Sequence, residues 1–283
     1  MATLIDGKKI AQDVRDNVRR DVADFVDRTG IRPALATVLV GGDPASAVYV
    51  ASKRKACVVA GMVDRHHHLE AHATQTEVED LLDALAVDTE VSGILLQLPL
   101  PGHLDREPLI DRIPSVKDVD GLGTLSAGLL AQGKHGLRPC TPLGVMELLA
   151  RLPITLEGAS VVVVGRSALV GRPLAQMLVQ ANATVTVAHS RTRDLGAITR
   201  GAQVLVAAAG VPGLIGAEHV SEGTTVVDVG IHRTPDGLVG DVSFDEVEPK
   251  ASFITPVPGG VGPMTIAMLL RNTLNAAELQ WGG

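Results

Sequence analysis

The chain has 283 residues, a formal net charge of −7, 46% hydrophobic and 20% charged residues, which is enough length for about two domains and enough apolar content to argue against disorder. The acidic balance disfavours a general nucleic-acid binder, and 2% aromatic residues are too few for base-stacking platforms. No apolar run approaches the ~18–20 residues of a membrane span, the first six residues turn charged too soon for a secretory signal, and two cysteines, Cys57 and Cys140, make no disulfide framework, so a soluble cytoplasmic protein is expected.

Helix and strand patterns alternate along the chain. Ile10, Val14, Val18 and Val22 recur every fourth residue and predict an amphipathic helix. Ala34–Val40 is a buried strand stopped by Gly41-Gly42-Asp43-Pro44. A helix over 45–60 ends at Gly61, and 63–69 is a strand. Thr74 and Glu77 fit a capping box ahead of Val78, Leu81, Leu82 and Leu85. A strand over 91–96 closes at Gln97-Leu98-Pro99-Leu100-Pro101. Residues 108–139 are loop-rich, and a helix begins at Thr141-Pro142, with Thr as N-cap and Pro at the first helical position. Val161 to Val164 is too apolar for one wet face and predicts a parallel central strand. Further strands fall at 184–188, 204–208 and 224–229, and a long apolar helix follows Pro263. The fold class is α/β with two α/β domains. The first covers 1–140, completed by 265–283 if the last helix returns to it. The second, 141–264, is a Rossmann-like doubly wound parallel sheet.

The most informative local pattern is strand, glycine turn, helix: Val161 to Val164, then Gly165-Arg166-Ser167-Ala168-Leu169-Val170-Gly171-Arg172-Pro173. A glycine at the strand's carboxyl end lets the backbone turn sharply, and the N–H groups at the next helix start favour a phosphate. The second glycine of the GxGxxG fingerprint is missing, so a plain strand-to-helix turn is the competing explanation. An NAD-binding unit usually carries Asp or Glu ~20 residues on, for the ribose 2′-hydroxyl. Here the strand at 184–188 leads into His189-Ser190-Arg191-Thr192, with no carboxylate. Arg191 and Arg166 offer positive charge to a 2′-phosphate and Ser190 a hydrogen bond, which favours NADP over NAD, against a merely solvated basic loop. The strand ends Ala209-Gly210 and Asp228-Val229-Gly230 lack bulk where a dinucleotide would cross the sheet edge.

In the first half, Ser46, Tyr49 and Lys53 sit at i, i+3 and i+7 and share one helical face. A partly desolvated lysine beside a phenol can exchange a proton near neutral pH, whereas a lone lysine is usually a surface charge. Gln97 stands at a strand's carboxyl end, where ligands of open α/β sheets bind. Asp118-Val119-Asp120-Gly121 offers either an Asx-turn or a carboxylate for a substrate donor. His66-His67-His68 has no accompanying ligand pair, so a polar strand face is expected and no metal. Cys57 reads as core filler. Cys140, at a helix start, has reason to be acidified, but with no base adjacent in sequence a structural role is expected.

Taken together, these blocks resemble the bifunctional methylenetetrahydrofolate dehydrogenase/methenyltetrahydrofolate cyclohydrolase family over nearly the whole length. The resemblance rests on Ser46-x-x-Tyr49-Val50-x-x-Lys53-x-Lys55, Gly93-Ile94-Leu95-Leu96-Gln97-Leu98-Pro99-Leu100-Pro101, Lys117-Asp118-Val119-Asp120-Gly121 and Pro139-Cys140-Thr141-Pro142-x-Gly144. It continues through Val164-Gly165-Arg166-Ser167, Val170-Gly171-x-Pro173, His189-Ser190-Arg191-Thr192 and Pro256-Val257-Pro258-Gly259-Gly260-Val261-Gly262-Pro263-Met264-Thr265. It implies a homodimer, a folate cleft between two α/β domains, and NADP as hydride acceptor. It implies one-carbon tetrahydrofolate substrates, with no nucleic-acid or membrane partner. Lys53 is then the cyclohydrolase residue, Tyr49 and Gln97 orient it and the substrate, and Asp120 holds the pterin. Gly165, Arg166, Ser167, Ser190, Arg191, Gly230, Ile231 and His232 line the cofactor site, and Pro258-Gly259-Gly260 borders the folate. His232, Ser243 and Arg172 depart from the family pattern and bear on cofactor preference rather than on catalysis. A monofunctional relative, or a noncatalytic NADP-binding sensor, is the alternative.

Overall fold

The computed structural model describes residues 2–235 and 237–282. In chain order the first elements are β1 (Thr3–Leu4), α1 (Gly7–Thr29), β2 (Ala34–Val40), α2 (Pro44–Val59), β3 (Val63–Leu69), α3 (Gln75–Val87) and β4 (Gly93–Leu96). There follow α4 (Arg106–Asp111), α5 (Thr124–Ala131), α6 (Cys140–Ala150), β5 (Ser160–Val164), α7 (Gly171–Gln180), β6 (Thr184–Ala188), α8 (Leu195–Thr199) and β7 (Val204–Ala207). The last are β8 (Thr225–Asp228), β9 (His232–Thr234), β10 (Gly237–Val239), α9 (Phe244–Val247), β11 (Phe253–Ile254) and α10 (Val261–Trp281). The described residues divide into two compact units, one of Asp13–Cys140 with the chain from Ile266, the other of Thr141–Thr265 with the chain through Gln12.

The unit of Asp13–Cys140 is built on a parallel sheet in the order β3-β2-β4. β2 is buried at every residue, which is why its sequence is apolar on both faces. Ala36, Val38, Val40, Ile94 and Leu96 pack against Val78, Leu82 and Leu85 of α3. That helix opens with the expected box, Thr74 accepting from Glu77 N–H while the Glu77 carboxylate accepts from Thr74 N–H. The C-terminal helix does return here: Arg271 pairs with Asp21 of α1 at 2.5 Å, and Gln280 Nε2 donates to Ser92 O at 2.8 Å.

The other unit carries a parallel sheet ordered β1-β11-β8-β7-β5-β6. From β5 the chain steps outward to β6, then crosses back to β7 on β5's other side, so the order reverses around β5. Ligands of doubly wound sheets bind at the carboxyl ends of the strands flanking such a reversal. Val162, Val164, Leu205, Ala207, Val226 and Ile254 form the core under it.

Several boundaries differ from expectation. α6 starts at Cys140 rather than being capped by Thr141, whose hydroxyl instead meets Thr265 Oγ1 at 3.1 Å. α10 starts at Val261, ahead of Pro263, because proline is tolerated in a first turn whose N–H groups have no helical acceptor. α4 overlaps the start of the stretch read as loop and α5 lies within it. α5 takes its N-terminal partners from distant residues: Asp111 accepts from Thr124 N–H and Oγ, and Asp118 from Gly123 N–H. The two-residue strands β1 and β11 and the β9–β10 hairpin carry no periodic signal and were not expected.

Candidate active site

Lys53 is placed by α2. Asp43 caps that helix by accepting from Ser46 N–H at 2.8 Å. Ser46, Val50, Lys53 and Cys57 then form its buried stripe, so a lysine is carried inward by the same face that holds the helix to the sheet. Lys53 is 7% exposed. Its Nζ donates to Gln97 Oε1 at 3.0 Å and lies 6.0 Å from the centre of the Tyr49 ring. Gln97 extends the sheet by donating its backbone N–H to Val38 O, and its side-chain Nε2 donates to Leu98 O. That second bond turns Oε1 toward the lysine. Tyr49 stays 43% exposed at the edge of the stripe. The phenol, ammonium and amide expected from sequence are therefore in one place.

The two carboxylates of the 118–121 turn have separate tasks. Asp118 is buried and accepts from Leu122 N–H, Gly123 N–H and Ser126 Oγ at 3.2, 2.9 and 2.7 Å. Burial pushes its pKa up. Asp118 is thus consumed in holding α5. Asp120 lies beside the fully buried Cys140 thiol. Burial, then the Asp120 charge, raise that thiol well above its ordinary value, with Lys53 opposing. Cys140 is therefore not an acidified nucleophile; its Sγ donates to Val119 O at 3.3 Å.

In the other unit the glycine turn is required by its geometry. Gly165 has φ +129°, and a Cβ there would stand 2.0 Å from Ala208 O. A Cβ on Gly171 would stand 2.1 Å from Gly165 O, so the start of α7 packs directly on the end of β5. Beside this turn lies a cavity of about 410 Å³ bounded by Gly165, Arg166, His189, Ser190, Ala209 and Val211, a size suited to part of a small organic ligand. None of its lining residues is acidic. Asp194, the first acid after β6, caps α8 through Ala197 N–H. The donor set therefore fits a ribose that carries a phosphate. Gly165, Arg166 and Ser190 line the cavity. Ser167 does not: its hydroxyl accepts from Val170 and Gly171 N–H within the turn. Arg191 is exposed, its backbone N–H held by His189 Nδ1 at 3.1 Å.

At the ends of β7 and β8, a buried acid missed by sequence reasoning organises the edge. Asp241 Oδ2 accepts from Ala209 and Gly210 N–H at 2.6 and 2.8 Å, and its Oδ1 lies 2.8 Å from His232 Nε2. A carboxylate only accepts, so Nε2 carries the hydrogen. Asp228 accepts from Gly230, Asp241 and Val242 N–H, and burial pushes its pKa up to about 6. A Cβ on Gly230 would stand 2.2 Å from Asp241 Oδ1, which explains the glycine; Ile231 beside it is exposed. The only sequence signal for Asp241 was the Gly240-Asp241 pair. The Pro258-Gly259-Gly260 turn has φ +111° at Gly259 and bears on the start of α1, where a Cβ on Gly7 would stand 1.9 Å from Gly260 O. Ser243 Oγ donates to Gly213 O, and Arg172 is exposed.

The histidine triplet serves the strand. His66 Nδ1 meets Thr37 Oγ1 at 3.1 Å and His68 Nε2 meets Gly41 O at 3.0 Å. Among the described residues, no group of three or more His, Cys, Asp or Glu is arranged to hold a metal ion, and no helix is long and apolar enough to cross a membrane.

A doubly wound sheet with a glycine turn and cavity at its reversal, and a separate unit with a buried lysine held by an amide, define an α/β enzyme that pairs nucleotide binding with polar catalysis. The chain belongs to the tetrahydrofolate dehydrogenase/cyclohydrolase family: the model of that family's catalytic domain matches residues 5–120 and that of its NAD(P)-binding domain matches 139–281. The bifunctional protein FolD 2 of Frankia casuarinae is 63% identical over 281 residues, spanning 99% of this chain and 98% of that protein. The crystal structure of the bifunctional FolD methylenetetrahydrofolate dehydrogenase/cyclohydrolase of Campylobacter jejuni is 47% identical with TM-score 0.96, covering 99% of this chain and all of that one (100%). The Trypanosoma brucei methylenetetrahydrofolate dehydrogenase-cyclohydrolase, solved with NADP and an inhibitor, is 38% identical with TM-score 0.93, covering 99% and 98%.

Proposed function

We propose that this enzyme oxidises 5,10-methylenetetrahydrofolate to the 5,10-methenyl form with NADP, then hydrolyses the methenyl form to 10-formyltetrahydrofolate. The observation that carries the hydrolytic half is the Lys53 ammonium held at 3.0 Å by Gln97 and flanked by Tyr49. The Gly165–Gly171 turn and its acid-free cavity support the redox half and the preference for NADP over NAD.

Gly165, Arg166 and Ser190 would hold the dinucleotide, with Arg191 on the same loop supplying charge to the 2′-phosphate and Gly230-Ile231-His232 bordering the nicotinamide end. Bound there, NADP supplies a hydride acceptor. Asp120 takes a donor of the pterin ring. The lone pair of a folate nitrogen assists departure of the methylene hydride, leaving a methenyl cation with its charge shared between two nitrogens. The protein's part in this step is to align the reacting groups and keep out stray water. In the second step water attacks the methenyl carbon, loses a proton, and one carbon–nitrogen bond opens. Lys53, acting as the amine, takes that proton and returns one to the nitrogen whose bond to carbon opens, while Gln97 and Tyr49 fix its position.

A homodimer is also proposed. β3 pairs only with β2 among the described residues, and Val48, Val58 and Val59 of α2 are exposed; an open strand edge with exposed valines is a pairing surface. Sedimentation of the purified protein tests it, and a monomer at micromolar concentration rejects it. The activity is tested by supplying methylenetetrahydrofolate and NADP and following NADPH and methenyltetrahydrofolate absorbance separately. NADPH without methenyl build-up is expected. Build-up would indicate a dehydrogenase alone, and bound NADP without turnover a sensor.

A further inference from the structure

The turn that carries Asp120 is held from the far end of the chain. Asn272, on α10 and 1% exposed, donates its amide to Val119 O and to Arg138 O, each at 2.8 Å. Val119 immediately precedes Asp120, and Arg138 lies two residues before Cys140. The Cys140 thiol donates to the same Val119 carbonyl at 3.3 Å, and Asn272 Nδ2 lies 3.7 Å from its sulfur. Gly121 closes the contact: its φ is +63°, and a Cβ there would stand 2.4 Å from the Arg138 carbonyl carbon and 2.6 Å from Pro139 N. The 118–121 and 138–140 segments therefore touch backbone to backbone.

Buried carbonyls need donors, and a primary amide is the neutral side chain that offers two N–H groups from one nitrogen. One side of the turn is tied to α5 through Asp118, which accepts from Gly123 N–H and from Ser126 Oγ. Asn272 anchors the other. The Cys140 thiol sits between the two, bonded to Val119 O and close to the Asn272 amide, so the clamp holds the backbone that carries Asp120.

We propose that Asn272 is a positioning residue for the folate site: by joining Val119 to Arg138 it sets the Asp120 carboxylate for the pterin. The inference rests on Asp120 being a folate ligand. The test is a double-mutant cycle on the full chain with Asn272→Leu, Asp120→Ala and the pair, reading KM for methenyltetrahydrofolate in the hydrolysis assay and KM for NADP in the dehydrogenase assay. Leu keeps the size and removes both donors. Asn272→Leu is expected to raise the folate KM about tenfold and leave the NADP KM within twofold. In the Asp120→Ala background it should add nothing further, because residues that act through one another are non-additive. If Asn272→Leu does not fold, Asn272→Ser, which retains a donor, takes its place in the same cycle with a smaller rise. Effects that multiply independently, or an unchanged folate KM in a folded variant, overturn the proposal while leaving Asp120's role intact. An unchanged folate KM in Asp120→Ala alone overturns that role, and the positioning role with it.

Discussion

Gly165 shows how little room the cofactor edge allows. A methyl group there would meet Ala208 O at 2.0 Å on a backbone at φ +129°, where L side chains are strained. Gly165→Ala should weaken NADPH binding more than about tenfold, measured by fluorescence titration; affinity within twofold of wild type would show that the turn does not shape the site. Asp228 makes a second prediction. Burial lifts its pKa from the ordinary 3.8 to about 6, so the native state holds that proton more tightly than the unfolded chain does. The stabilisation is complete below about 3.8 and is lost as pH rises through about 6. Wild type should therefore gain about 1 kcal/mol on Asp228→Asn between pH 7 and pH 5, read from thermal melts of both proteins; a gap that does not change with pH contradicts it. Lys53, Tyr49 and Gln97 stand together; spacing put only Tyr49 and Lys53 on one helical face, and the family resemblance joined Gln97 to them. Asp241 and Asn272 were not legible, because each acts through backbone groups far away in sequence.

The elements that could be read were those whose signals are local. α3 was legible because Thr74, Glu77 and the apolar spacing behind them lie within a dozen residues, and the box is present at both of its hydrogen bonds. Thr74→Ala should cost about 1 kcal/mol of stability, measured by urea denaturation, with activity at saturating substrate unchanged; no shift in the midpoint would count against the cap. β2 and β5 announced their central places by being apolar on both faces, and each has a parallel neighbour on either side. α5 escaped notice because Asp111 and Asp118, its N-terminal partners, lie outside it, with only eight residues in the helix. β1 and β11 are two-residue strands, too short for any alternation to register; only tertiary pairing defines them.

For the whole molecule, the regular alternation of helix and strand pointed to two α/β units before any motif was weighed, and both units are built on parallel sheets. What alternation does not specify is that the chain through Gln12 joins the six-stranded sheet by the pairing of β1 with β11. The two units carry different chemistry: a glycine turn with an acid-free cavity in one, a buried lysine tied to an amide in the other. That separation lets the two reactions be uncoupled by one substitution. The direct measurement supplies methylenetetrahydrofolate and NADP to the full-length Lys53→Met protein and follows NADPH and methenyltetrahydrofolate as independent signals. NADPH should form while methenyltetrahydrofolate accumulates, draining only at the rate seen without enzyme; clearance of the methenyl form at the wild-type rate would contradict the account.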